Sequence, residues 1–159
     1  MITGYLLYIR YLGMNKWYDD YIGFPYKHLG NSPVTGIDCF NLCRYIYKHQ
    51  LNITVPLSTH DFCNIVDADW YNKTTEPLFE IAAAIKRTDF AWKKVTTPRL
   101  YDIITMSIGD TNVTNHCAVY VDKDRVLQTA ANKKSWVGLY GNYYQQYTTG
   151  IYRWAPLSN

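Results

Sequence analysis

The chain has 159 residues, which suits one domain, since two would each have to build a core from about 80 residues. Hydrophobic residues make up 48% and charged residues 18%, the balance of a globular chain and not of a disordered one. The net charge is +3, with Lys and Arg scattered and no basic run, which argues against nucleic acid as a partner, and no stretch approaches the ~18 apolar residues of a membrane span.

The first 13 residues, MITGYLLYIRYLG, are apolar but carry Arg10 inside, and they lack a basic start and a small-residue cleavage site. They are expected to form an extension, residues 1–13, a docking arm rather than a signal peptide, ahead of a single domain over 14–159. Met14 opens an expected helix from Asn15 to Tyr21. A Gly/Pro/Asn-rich loop, Gly23 to Gly36, leads to a helix over Cys39–Gln50. There Cys39, Leu42, Cys43 and Ile46 fall at i, i+3, i+4 and i+7, a helical stripe, with Asp38 as the natural N-cap. Asn52 and Pro56 end it, and Pro56 to Asn72 reads as irregular or partly helical. A second helix is expected from Pro77 to Arg87, with proline in its first turn and Lys86-Arg87 in its last.

After Pro98 the pattern turns to period two. Expected strands are Tyr101–Ile108, Asn115–Val121, Arg125–Ala130, Ser135–Leu139 and Ile151–Trp154, with a tight hairpin at Asp122-Lys123-Asp124. Helices first and antiparallel strands second make an α+β fold with a sheet of about five strands. The 16 tyrosines fit strand faces and the rim of a small core, and some of them fit the wall of a polar groove.

Cys39 at the first turn of a helix is a candidate nucleophile. The thiolate is the attacking species, and free N–H groups with the positive end of the helix dipole favour it. The same N–H groups suit the oxyanion of an attacked carbonyl. The charge of Asp38 next door opposes the thiolate slightly. Core packing is the competing account of Cys39, because it lies on the apolar stripe. A cysteine nucleophile needs a base, and the base an orienting group. His116, Ala118 and Tyr120 share one strand face, as do Val126, Gln128 and Ala130 across the hairpin. With Val121 opposite Arg125, Gln128 lies opposite Ala118, the diagonal neighbour of His116 and within side-chain reach. Its amide oxygen then accepts the imidazole N–H.

His49 sits at the far end of the Cys39 helix, and His28 and His60 lie in loops and read as surface residues. All four cysteines are expected to be reduced. A zinc set of Cys39, Cys43, His60 and Cys63 is disfavoured by the one-turn spacing of its first pair, so no metal and no cofactor are expected.

Tyr26, the glycine-rich loop, and Gly36-Ile37-Asp38-Cys39-Phe40-Asn41-Leu42 together resemble the signature of the NlpC-type cell-wall cysteine peptidases. Pro56 is similar to the proline after that family's helix, Tyr101-Asp102-Ile103-Ile104 to its Gly-Asp strand, and Asn115-His116-Cys117-Ala118-Val119-Tyr120 to its base-histidine strand. Gln128 stands in the place of the third, polar member. Ile151-Tyr152-Arg153 resembles the closing strand of the phage-tail-associated branch. The resemblance runs from about Trp17 to Trp154.

It implies a papain-like α+β core, with the nucleophile's helix packed on an antiparallel sheet. It implies cleavage of the peptide stems of peptidoglycan by Cys39, His116 and Gln128, with Tyr26, Asp38 and Phe40 at the substrate pocket. The phage branch implies a virion protein, made in the host cytoplasm, carried beside other tail or baseplate proteins and acting at the host wall to aid genome entry. A tail protein that keeps the fold without the chemistry is the alternative. Three departures stand out: Phe40-Asn41 replaces a small Ser-Gly pair, Tyr101 replaces a glycine, and Gln128 replaces a frequent histidine. Phe40 is expected to reshape the pocket, and Tyr26 to act either there or as a packed loop aromatic.

Overall fold

The computed structural model describes residues 16–55, 70 and 92–157. The extension over residues 1–13, the irregular stretch from Pro56 apart from Trp70, and the expected helix from Pro77 to Arg87 lie outside the described residues.

A 3₁₀ turn, Asp19–Tyr21, opens the described chain in place of the expected helix from Asn15 to Tyr21. Gly23 at φ +94° and Pro25 cut it short. A small hairpin follows, β1 (Asn31–Ser32) with β2 (Gly36–Ile37). Then comes α1, Cys39–Leu51. Asp38 caps it as expected, its carboxylate accepting from the Asn41 N–H at 2.8 Å. Asn52, left-handed at φ 54°, closes it.

The remaining elements are β3 (Trp92–Lys94), β4 (Ile103–Met106), β5 (His116–Asp122), β6 (Arg125–Gln128), β7 (Trp136–Leu139), α2 (Gly141–Gln145) and β8 (Thr148–Trp154). Among the described residues they make a six-stranded sheet in the order β3-β8-β4-β5-β6-β7, and each adjacent pair is antiparallel. The expected count of about five is therefore corrected to six. The added strand, β3, is a three-residue edge piece, too short to show a period of two. It pairs with β8, and Trp92 meets Trp154 edge-on with ring centroids 5.1 Å apart.

The sheet buries its two faces differently. On one, Cys117, Val119, Val121 and Leu127 pack against Leu42, Cys43, Ile46 and Tyr47 of α1. On the other, Ile104, Met106, Ala118, Val126 and Ile151 form a smaller cluster closed by Tyr140. The β5–β6 hairpin turns on Lys123 and Asp124, both at positive φ, the conformation of a two-residue I′ turn.

One of the sequence departures finds its explanation here. Tyr101 sits at φ 70°, where glycine is the low-energy choice. Its ring lies 4.8 Å from that of Trp17, a contact that glycine could not make, and its backbone carbonyl accepts the Tyr47 hydroxyl. Beside it, Asp102 is buried and receives Arg153 through two bonds of 2.9 and 2.6 Å, which clamps β8 to the start of β4.

Candidate active site

The glycine-rich loop places the tip of α1. Gly30 and Gly36 approach so closely that a Cβ on Gly30 would collide with the Gly36 carbonyl, and Gly36 itself takes φ +130°. The Gly30 carbonyl then accepts from the Asp38 N–H at 3.0 Å and from the Asn41 side-chain amide at 2.9 Å. Asn41 therefore ties the first turn of the helix to the loop, a role unrecognised in the sequence. Phe40 turns the other way, into the core beneath the sheet, 3% exposed, and it is not among the residues lining the cleft described below. One position along a helix rotates a side chain by about 100°, enough to send Cys39 to the cleft and Phe40 to the interior.

Cys39 opens on a cleft of about 380 Å³ shared with His116 and Gln128. Tyr26 lines the same cleft, held there by a bridge to Ile37. Asp38 stays buried under the helix tip as its cap and is not part of the cleft wall. Several wall residues were not foreseen: Trp70, Lys133, Trp136, Tyr143 and Tyr144, together with His28, which the sequence had marked as a surface loop residue. Among the tyrosines the groove account thus fits Tyr26, Tyr143 and Tyr144, while Tyr18, Tyr21 and Tyr47 fill the core.

The hairpin register brings Gln128 to His116. Val119 faces Leu127 and Tyr120 faces Val126, and one further step sets Gln128 opposite Ala118. Asp122, not Val121, pairs with Arg125, because a bulge between Tyr120 and Asp122 absorbs one residue next to the turn. His116 Nε2 and Gln128 Oε1 are 2.8 Å apart. An amide oxygen only accepts, so Nε2 carries the proton and Nδ1 is the nitrogen left for Cys39.

Electrostatics couple the two reactive groups. A hydrogen bond from Cys117 holds the Cys39 pKa well below the ordinary thiol value; burial opposes it, and the bond and charge of His116 and the Cys117 backbone N–H add to the lowering. Burial works to lower the His116 pKa, but the bond and charge of Cys39, with the bond to Gln128, raise it overall. The two shifts favour a thiolate beside an imidazolium.

Among the described residues Cys39, Cys43 and Cys117 are free thiols, and no three His, Cys, Asp or Glu side chains are arranged to hold a metal ion. His60 and Cys63 of the alternative zinc set lie outside the described residues. No helix among the described residues is long and apolar enough to cross a membrane.

Comparison with known proteins gives this arrangement a lineage. The family model described as NlpC/P60 family matches residues 23–153. The chain belongs to the NlpC/P60 family. Murein DD-endopeptidase MepH of Escherichia coli is 25% identical over 144 residues, 89% of this chain and 45% of MepH, so the chain spans about half the length of that relative. Among solved structures, the NlpC/p60 domain of the peptidoglycan hydrolase SagA superposes with a TM-score of 0.51 at 16% identity, covering 84% of this chain and 90% of that domain. An NlpC/P60 family protein from Bacillus cereus gives a TM-score of 0.56 at 18% identity, over 84% of this chain and 36% of that one. The α+β fold of the family, one helix against an antiparallel sheet, is thus the fold of this chain.

Proposed function

We propose that this protein is a cysteine-type endopeptidase that hydrolyses peptide stem bonds of peptidoglycan. The observation that carries the proposal is the set at the cleft: Cys39 at the tip of α1 and His116 line it together, and Gln128 meets the imidazole Nε2 at 2.8 Å. Family membership and the likeness to a murein endopeptidase support the substrate class.

In this reading His116 takes the Cys39 proton at Nδ1, and the thiolate attacks the carbonyl carbon of the stem bond. The negative charge on the carbonyl oxygen is met by first-turn N–H groups of α1, that of Cys39 foremost, which the helix ladder leaves unused. The imidazolium then protonates the leaving amine. Water, deprotonated by His116, cleaves the thioester and regenerates the thiol. Gln128 keeps the ring oriented throughout. Tyr26 forms part of the wall that receives the peptide, and Asp38 acts through the helix tip it caps.

Carriage on a phage tail, beside tail or baseplate proteins, belongs to the same proposal and rests on the closing Ile151-Tyr152-Arg153 stretch. An antibody against the protein should then label purified virions, and label confined to the host lysate refutes that setting. For the chemistry, purified cell walls are incubated with wild type and with Cys39→Ala, turbidity is followed, and released peptides are weighed. Wild type should clear the walls and free new amino termini, and Cys39→Ala should lose at least about 10³-fold in rate. Equal clearing by the two proteins refutes the peptidase.

A further inference from the structure

We propose that Lys133 is a specificity-determining residue: its ammonium, held over the ring of Trp136, receives a free carboxylate of the peptide bound in the cleft. The inference rests on the peptidase reading and narrows its substrates to stems whose carboxyl group at that point is unblocked.

The lysine is placed by a loop fixed at both ends. Gln128 closes β6 and pairs with Trp136 of β7. Between them the chain turns on Asn132, left-handed at φ 63°, and the Lys133 N–H donates to the Ala130 carbonyl at 3.0 Å. Ser135 then pins the loop to the segment ahead of α1. Its N–H donates to the Phe24 carbonyl at 2.9 Å and its hydroxyl to the Tyr21 carbonyl at 2.6 Å, while the same hydroxyl accepts from the Phe24 N–H at 2.8 Å.

Trp136 fixes the far end of the side chain. Lys133 Nζ stands 5.0 Å from the centre of the indole ring, a cation–π contact. The indole folds back over Gly138, where a Cβ would come within 2.9 Å of Trp136 Nε1 and 3.4 Å of Gln128 Nε2. The ring thus lies where residue 138 has no side chain, over the same patch of backbone as the amide that meets His116. Lys133, Trp136, Gln128 and Cys39 line one cleft, so the ammonium is held beside the reacting groups.

Charge supplies the ligand. Among the described residues the cleft wall includes Lys133, His28 and His116 but no Asp or Glu, and the ion pairs lie elsewhere, at Asp122–Arg125 and Asp102–Arg153. A thiolate–imidazolium pair adds no net charge, so that of Lys133 stays uncompensated. The indole covers one side of the ammonium and leaves donors on the other. A carboxylate is the complementary group, and a partly enclosed wall strengthens the attraction over that in open water. A carboxamide of the same shape brings no charge.

The test uses soluble synthetic stem peptides: L-Ala-γ-D-Glu-L-Lys-D-Ala with its carboxyl groups free, one counterpart amidated at the Glu α-carboxyl, and another amidated at the terminal carboxyl. Wild type, Lys133→Met and Lys133→Arg are compared by kcat and KM. Calorimetry gives the Kd of each peptide for Cys39→Ala with and without Lys133→Met. Lys133 is exposed, so the folded state tolerates both substitutions, and melting curves check this. Wild type should lose about three- to thirtyfold in kcat/KM on one of the two amides, chiefly through KM. Lys133→Met should treat the free acid and that amide alike, Lys133→Arg should keep the preference, and added salt should shrink it. The Kd values should show the same preference without turnover. Wild type that treats all three peptides alike, or Lys133→Met that keeps the wild-type preference, overturns the inference. Failure of the peptidase reads differently: wild type then cleaves none of the peptides, and the Kd comparison decides the carboxylate subsite by itself.

Discussion

The two faces of the sheet contribute unequally to the site. The face under α1 carries the larger cluster, including Leu42, Ile46, Tyr47, Val119 and Leu127, and it fixes where the helix tip and Cys39 stand. The opposite face is smaller, built on Ile104, Met106, Ala118, Val126 and Ile151. The positions of His116 and Gln128 follow instead from the pairing register of β5 with β6. The site forms at the His116 end of β5, where His116 and Cys39 line one cleft. A nucleophile on one layer and a base on another are aligned only if the helix seat and the strand register are both held.

The comparison can be broken most strongly at the base. His116→Ala should cut wall hydrolysis by about 10²–10⁴-fold, measured as clearing rate on purified walls. The same variant loses two of the causes that lower the Cys39 pKa, the bond and the charge of His116. Its acid limb for Cys39 alkylation must therefore move to higher pH, and a fixed limb would show that the imidazole does not govern the thiolate.

Ile46→Ala attacks the helix seat, since Ile46 is fully buried in the larger cluster. The expected loss is about 2–5 kcal/mol in denaturant unfolding, from lost transfer energy and the cavity left behind. Gln128→Ala should lower the hydrolysis rate by about ten- to a hundredfold, the equivalent of one hydrogen bond to a charged group. Gln128→Glu, which keeps an acceptor, should retain more activity than the alanine variant. The smallest effect is expected at Asp38→Ala. Removing the 2.8 Å cap bond should cost about 0.5–2 kcal/mol of stability, read as a lower Tm. Asp38 is not among the groups that shift Cys39, so the alkylation limb of this variant should stay near that of wild type.

Much of the site was legible because local rules act on it directly. A cap at Asp38, a stripe through Leu42 and Ile46 and a left-handed stop at Asn52 bound one helix, and the structure places it at Cys39–Leu51. Alternation marked β4 to β8, apart from their ends. The turn at Lys123-Asp124 was legible too, and the step from it to Gln128 survives although the pair nearest the turn differs. The bulge takes up the odd residue before the regular ladder begins, so the register farther out is unchanged. Where the chain offered no period, reading failed. Trp92–Lys94 is too short to alternate, and Asp19–Tyr21 forms only a single 3₁₀ turn. Tyr143 and Tyr144 reach the cleft through the short helix α2, which no stripe announces.

The sequence by itself determined the helix that begins at Cys39, the strands that carry His116 and Gln128, and their meeting across a hairpin. Each follows from periodicity, capping and turn chemistry over a few neighbouring residues. Only the tertiary structure decided which way Phe40 points, how Asn41 anchors the loop, and that the sulfurs of Cys43 and Cys117 lie 3.8 Å apart. It also brought His28 and Lys133, more than 100 residues apart, to one cleft. These depend on how a helix is rotated and seated on a sheet, and that rotation is set by the packing of the whole buried face rather than by any local pattern.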